Sequence, residues 1–306
     1  MRGFLWARGW RPAAAALLFL VACGGSGASP GPAPSAGTVV VASFNFPESE
    51  VLAEVYGQAL LARGIPVRMA LRLGPRELVE PALLRGLVHL VPEYLGSALD
   101  FLARSQRATA NPEATHEALE RALAGTGAAA LPSAAAQDAN ALAVTKATAA
   151  RYGLRSISDL APVASDMVMG GPPECPQRPL CLQGLRDVYG LRFRAFVPLD
   201  AGGPLTSRAL AEGDVDAALM FTTDPTVAEL GFVLLRDDLL LEPAENVTPL
   251  VSRAFLRRYG TRLSGAVDAV SALLTTSKLL QLNHAVARGQ PPADVARDWL
   301  ARNGLG

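Results

Sequence analysis

The sequence predicts an α/β protein built as two lobes that face each other across a cleft. Three observations carry this expectation. The chain opens strand–helix–strand, a helix–glycine–strand unit occurs once in each half, and the body ends in a helical tail. A βαβ opening implies a parallel sheet covered on both faces. Ligands of open α/β sheets bind beyond the carboxyl ends of the strands, so one such end per half gives two half-sites. A helical tail after an α/β body suits a chain that crosses to a second lobe and returns.

The N-terminal segment stands apart from the fold. Arg2, Arg8 and Arg11 precede an apolar run from Ala13 to Ala22, with no acid among residues 2 to 11. A basic start, a short apolar stretch and a small residue before the cut are the parts of a secretory signal. The run is shorter than the roughly 20 apolar residues that span a bilayer. Residues 1–22 are therefore expected to be a signal peptide. Leu20-Val21-Ala22-Cys23, followed by Gly24-Gly25-Ser26, resembles a bacterial lipobox, which implies cleavage before Cys23 and diacylation of its thiol. Residues 23–38, rich in Gly, Ser and Pro, are expected to be a flexible tether.

From Thr38 onward, composition narrows the possibilities. Half of the 306 residues are apolar and 18% are charged, enough to bury a large core. The length fits two ordinary domains. Lys plus Arg, at 28, equals Asp plus Glu, at 28, so nothing favours nucleic acid, and no basic run suggests a lipid-headgroup patch. No later apolar stretch is long enough to cross a membrane, so membrane attachment is expected through the lipid at Cys23 alone. Cys175 and Cys181 lie in Glu174-Cys175-Pro176-Gln177-Arg178-Pro179-Leu180-Cys181. In an exported chain this pair is expected to form a disulfide closing a small Pro-rich loop. A zinc site needs four ligands, and His89, His116 and His284 lie far away in sequence. No metal and no cofactor are expected.

In chain order, Val39-Val40-Val41-Ala42-Ser43 is a β-branched run read as a buried strand. Asn45-Phe46-Pro47-Glu48 reads as a helix start, with Asn45 as the cap and Pro47 early. Val51, Leu52, Val55, Tyr56, Ala59 and Leu60 share one helical face, and Gly64 ends that helix. Val67 to Leu73 is the second strand. Glu80 to Val91 runs helix, Gly86, strand, and Arg208 to Leu219 repeats this around Gly213. Pro92-Glu93-Tyr94 follows the first unit and Phe221-Thr222-Thr223-Asp224 the second. Ala141 to Thr145 is a strand, Ala147 to Tyr152 a helix closed by Gly153, and Leu182 to Val188 a helix closed by Tyr189-Gly190. Phe193 to Val197 and Phe232 to Leu235 are strands. After Pro249 the chain is expected to be helical, through Ala266 to Ala287 and Pro292 to Arg302. The expected lobes are 39–140 plus 243–306, and 141–242.

Several short segments resemble, in order, those of the osmoprotectant-binding proteins of ABC importers. Asn45-Phe46-Pro47-Glu48-Ser49 resembles their FTEQ or FTES opening. Pro92-Glu93-Tyr94-Leu95-Gly96-Ser97-Ala98-Leu99 resembles PEYxGT(A/S)L. Ala141-Leu142-Ala143-Val144 and Ile157-Ser158-Asp159-Leu160-Ala161 resemble ALAV and TISDLA. Thr222-Thr223-Asp224 and Leu235-Arg236-Asp237-Asp238 resemble STD and LxDD. The resemblance implies a two-lobed periplasmic-binding-protein (clamshell) fold, type II-like. It implies a solute such as glycine betaine, choline or carnitine, and delivery to an ABC permease and its ATPase by an exported lipoprotein at the outer face of the cell membrane, expected as a monomer.

The resemblance also implies site residues. Such proteins hold quaternary ammonium groups on aromatic faces, each worth about 0.5–2 kcal/mol. Tyr94 stands where one cage tyrosine stands, or else is a tyrosine half-buried at a strand end. Ser97 matches the motif threonine, as a hydroxyl donor or a helix-start serine. Ser49 stands where a ligand-contacting Gln occurs, and serves equally to cap its own helix. Phe221 and Thr222 belong to the second strand end. Two departures alter the cage: Asn140 replaces one tyrosine before Ala141, and Asn246 occupies the return crossover in Pro243-Ala244-Glu245-Asn246-Val247-Thr248-Pro249. Amides in place of phenols exchange π faces for hydrogen-bonding groups. The expected ligand therefore has more donors and less trimethylammonium character. Asp138 and Asp224 either face a cationic ligand or cap helices, and capping is the expectation.

An enzyme finds little support. No GxSxG elbow occurs in the mature body, and His116-Glu117 lacks a second His at the metalloprotease spacing. No Gly-rich phosphate loop appears. A sensing or interaction lipoprotein would need the same cleft as a transport subunit, so these two uses stay open at this level. Either way, the lobes are expected to hinge near residues 137 to 141 and 242 to 249.

Overall fold

The computed structural model describes residues 37–103 and 108–306. The expected signal segment, Cys23 and the tether up to residue 36 lie outside the described residues. Ten strands follow in chain order: β1 (Val39–Ala42), β2 (Val67–Ala70), β3 (Leu90–Tyr94), β4 (Ala128–Ala130), β5 (Asn140–Val144), β6 (Val168–Gly171), β7 (Ala195–Pro198), β8 (Ala217–Phe221), β9 (Val233–Leu235) and β10 (Val247–Ser252). They form two five-stranded sheets, ordered β2-β1-β3-β10-β4 and β7-β6-β8-β5-β9.

The two orders are one topology written twice. β1 and β6 each sit between two parallel neighbours, β2 and β3 in one sheet, β7 and β8 in the other. In each sheet the strand that has just arrived from the other lobe is inserted next to the third, antiparallel to it: β10 beside β3, β5 beside β8. The fully parallel sheet expected from the βαβ opening is thus a mixed one. The two helix–glycine–strand units occupy equivalent places, since they end in β3 and β8. The helices are Arg76–Leu84 and Pro204–Glu212, with Gly86 and Gly213 at φ 73° and 80° beyond them.

Local sequence accounts for most of this. All four side chains of β1 are buried, as its unbroken apolar run requires in a strand covered on both faces. The Pro47–Ala62 helix is buried on nearly every side, against the Thr261–Leu273 and Pro292–Arg302 helices among others. Its cap position is Phe46, one residue later than Asn45, and no side chain caps it. Instead Ser49 Oγ, within the first turn, accepts from Phe44 N at 2.9 Å. In the second lobe the period-two alternation divides the core. Leu142, Val144 and Leu219 pack on one face of the sheet with Cys175 and Cys181; Ala143, Ala218 and Met220 pack on the other. Cys175 and Cys181 are disulfide-bonded, with Cα atoms 5.2 Å apart.

The region after Pro249 departs from expectation. Pro249 lies inside β10, opposite Pro92 of β3, and helix begins only at Arg253. Neither proline has an N–H, so this facing pair needs no ladder bond between its members. The Pro249 carbonyl is used on the other side, by Leu131 N at 2.9 Å. The expected helix from Ala266 to Ala287 is two, Thr261–Leu273 and Thr276–Ala287, because the Thr275 side chain accepts from Lys278 N and starts a new one.

The chain passes between the sheets twice, from β4 to β5 and from β9 to β10, and the two passages are bonded to each other. Asp138 N donates to Glu245 O and Val247 N to Ala136 O. Among the described residues, no helix is long and apolar enough to cross a membrane.

Candidate functional site

β3 ends at Tyr94, β8 ends at Phe221, and both side chains line one cleft of about 1570 Å³ between the sheets. A drug-sized pocket occupies roughly 300–1,000 Å³, so the cleft has room for a small solute and its water. Phe46, at the turn after β1, joins the two strand ends. Its ring centroid lies 6.1 Å from that of Tyr94, 5.3 Å from that of Phe221 and 5.9 Å from that of Phe44. Side chains from the two lobes thus form one aromatic cluster.

Under the aromatics lies a buried polar network. The Tyr94 hydroxyl donates to Glu48 Oε1 at 2.6 Å, while Thr223 Oγ1 and Asn283 Nδ2 donate to Glu48 Oε2. Asp138, in the first passage, accepts from Thr222 Oγ1 and Thr223 N, each at 3.0 Å. Burial, reinforced by the Glu48 charge, pushes the Tyr94 phenol and the Asp138 carboxyl well above their ordinary values. Asp138 is thus no helix cap; it ties the turn after β8 to the first passage. Asp224 does cap, accepting from Thr226 N at the start of Pro225–Glu229.

The second passage builds another wall. Gly96 lies so near it that a Cβ would meet Pro243 Cγ at 2.2 Å. The first N–H groups of the Leu95–Leu102 helix, which lack partners within the helix, are taken up here: Leu95 N by Asn246 O, Gly96 N by Ala244 O, and Ser97 N by Glu245 Oε2. Ser97 Oγ also donates to Glu245 Oε1 at 2.6 Å. Burial pushes Glu245 up to about 7, even against the bonds from Ser97 and the Arg76 charge. Burial, with the charges of Glu245, Asp237 and Asp100, pushes Glu242 well above the usual range.

Arg76 reaches the cleft from the Arg76–Leu84 helix and is held bidentately by buried Glu93, at 2.6 and 2.9 Å, with its guanidinium 5.3 Å from the Phe44 centroid. Burial alone would lower its pKa, but Glu93 outweighs that and holds it protonated. Burial and the Glu93 charge push Glu80, behind this pair, well up. At the rim, Arg178 of the disulfide loop bonds bidentately to Glu77 across the cleft, at 2.8 and 3.1 Å.

Of the residues singled out in the sequence, Tyr94, Ser97, Asn140 and Phe221 are brought together on the cleft wall. Three are engaged elsewhere. Ser49 is fully buried on Phe44 N, Thr222 bonds Asp138 and Ala139 N, and Asn246 Nδ2 donates to Ala134 O at 2.8 Å. Sequence reasoning passed over Phe46, Glu48, Arg76 and Glu245. Two acids, Glu242 and Glu245, in a passage otherwise lined by Pro and Ala, were the signal for the last. Among the described residues no cluster of His, Cys, Asp or Glu is placed to hold a metal ion.

Comparison with known proteins agrees with this fold. A solved structure described as a glycine betaine/carnitine/choline ABC transporter shares the fold with TM-score 0.68 at 23% identity, covering 87% of this chain and 99% of that one. The glycine betaine-binding protein YehZ of Escherichia coli (strain K12) is 28% identical over 284 residues, 89% of this chain and 93% of its own. The ergothioneine transport permease/ergothioneine binding protein EgtU of Helicobacter pylori (strain G27) is 25% identical over 272 residues, 87% of this chain. The chain spans about half of that relative's length, 48%. Residues 37–302 match the family model for the substrate binding domain of ABC-type glycine betaine transport systems, and the chain belongs to that family.

Proposed function

We propose that this protein captures a small polar or cationic solute outside the cell membrane and delivers it to an ABC permease and its ATPase. One observation carries the reading: Tyr94 and Phe221, at equivalent strand ends of two sheets, converge on Phe46 in one cleft. A solute touching both lobes favours the closed arrangement, because a ligand shifts an existing equilibrium toward the state it binds better. Tyr94, Ser97, Asn140 and Phe221 are the proposed contacts. Ser49, Thr222 and Asn246 act indirectly, by holding the turns that carry them. The lobes are 39–140 plus 243–306, and 141–242, hinged on the paired passages. The work is binding and release with no covalent step, so no cofactor enters it. The mature protein is an exported monomer, held at the outer face of the membrane by a lipid on Cys23, and residues 23–38 give it reach.

The test is calorimetric titration of the purified chain with quaternary amines, amino acid derivatives and diamines. Saturable binding of one solute, weakened at least tenfold by Phe221→Ala, is the expected result. Absence of binding across the panel overturns the reading.

A further inference from the structure

The chemistry of the solute can be read from the hydrogen atoms the site has already used, and this inference rests on the function proposed above. The Tyr94 hydroxyl donates to Glu48 and the Ser97 hydroxyl to Glu245, each at 2.6 Å. The Asn140 amide donates to Leu180 O at 3.1 Å and to Glu242 Oε2 at 3.2 Å. Both neighbours of that amide are acceptors, which fixes the NH2 toward them and leaves the side-chain carbonyl over. What these three residues can offer a ligand is lone pairs.

Charge points the same way. Among the described residues, the cleft wall carries seven carboxyl side chains and two guanidinium groups. Both guanidinium groups are engaged bidentately within the protein, Arg76 by Glu93 and Arg178 by Glu77. The amides of Asn45, Gln177 and Gln183 also line the cleft and serve either polarity. A ligand carboxylate would therefore meet committed donors and like charge. A quaternary ammonium would suit the aromatic faces but leave the acceptors unpaired, and an unpaired buried polar group is costly. The wall itself shows the combination that satisfies both: Arg76 lies over the Phe44 ring with its N–H groups on a carboxylate.

We propose that the cleft selects an organic cation bearing N–H groups and no carboxylate, an alkylammonium or guanidinium compound. Its charge rests on the Phe46, Tyr94 and Phe221 cluster, and its N–H groups reach the Asn140 carbonyl and the Glu245 carboxylate, with Glu242 fixing the Asn140 amide. Asn140 at the start of β5 then has a purpose: with its NH2 held by Leu180 O and Glu242, it turns an acceptor toward the solute.

Four probes separate the two ligand features: agmatine, arginine (which adds a carboxylate), choline (which has no N–H) and glycine betaine (a carboxylate and no N–H). Titration of the full chain at pH 8 is expected to show agmatine binding at least tenfold tighter than each of the other three, and Glu242→Gln weakening agmatine at least tenfold. Glu245→Gln is expected to do the same; if that variant fails to fold, Glu242→Gln decides alone. Choline, glycine betaine or arginine binding more tightly than agmatine overturns the inference and leaves solute binding standing. Failure of every probe and of the wider panel overturns solute binding itself, and this inference with it.

Discussion

Glu48 accepts the hydrogen of the Thr223 hydroxyl, so a carboxylate in the first turn after β1 is tied to the turn after β8 in the other lobe. The Tyr94 hydroxyl and the Asn283 amide converge on the same group. Removing it leaves the two buried hydroxyls without their acceptor and the Asn283 amide with Thr223 alone. Glu48→Ala is expected to destabilise the fold by about 2–4 kcal/mol, read from urea unfolding. Tyr94→Phe, which removes a single donor, should cost about 1 kcal/mol.

Phe46 makes ring contacts with Phe44, Tyr94 and Phe221. Such pairs are worth about 0.5–1.5 kcal/mol each beyond the area they bury. Phe46→Leu keeps an apolar side chain but loses the ring faces. It should lower solute affinity at least tenfold while leaving the far-ultraviolet circular dichroism unchanged. An unaltered affinity would mean the cluster supports the fold and nothing more.

The ligand-free protein should lose stability as pH rises from about 5 to 8. Glu245 is pushed from 4.5 up to about 7 by burial, with Arg76 pulling it down and Glu93 pushing it up. The Glu242 carboxyl, itself shifted upward, lies within its field. A carboxyl whose value is higher folded than unfolded holds its proton more tightly in the native state. Its stabilisation is complete below pH 4.5 and lost as pH passes through about 7, a change on the order of 3 kcal/mol for Glu245 alone. Glu80, Asp138 and Glu242 shift in the same direction. Thermal unfolding followed across this range checks it; a Tm that rises with pH contradicts the assignment. A cationic solute should bind more tightly over the same interval and reverse the loss.

The Arg178–Glu77 pair spans the cleft rim but is partly exposed, at 27% and 39%. Exposed pairs contribute about 0–1 kcal/mol. Arg178→Gln should therefore leave Tm nearly unchanged while increasing the radius of gyration of the ligand-free protein in small-angle scattering. A large drop in Tm would assign the pair to holding the disulfide loop instead of the rim.

The disulfide closes a loop of six residue steps. On a chain-entropy account so short a loop contributes about 2 kcal/mol. Cys175→Ser with Cys181→Ser should lower stability by that amount. Because Cys181 and its neighbours line the cleft, solute affinity is expected to fall with it.

How much was legible in the sequence depended on how local the cause was. Val39–Ala42 announces itself as a buried strand by composition, and Gly153 and Gly190 mark helix ends because each adopts a positive φ. The equivalence of β3 and β8 was visible as a helix–glycine–strand echo. β4 and β6 were not. Ala128–Ala130 has no polar alternation to read, and Val168–Gly171 ends in two glycines, with Gly170 packed closely enough that a Cβ would meet Leu199 Cδ1 at 2.7 Å. β10 was hidden by Pro249, whose tolerance depends on Pro92, a residue 157 positions earlier. In the site, aromatic and hydroxyl side chains were found by motif. Glu48 and Glu245 escaped because their partners, Thr223 and Ser97, lie 175 and 148 residues away.

The exchange of strands between sheets also sets an order of assembly. β10 is wedged between β3 and β4, so a chain growing from its N-terminus holds an open slot in its first sheet until residue 252 has been made. No fragment ending at either passage has both of its sheets filled. A ribosome would finish most of the polypeptide before the first lobe could close, while the second sheet could already be complete.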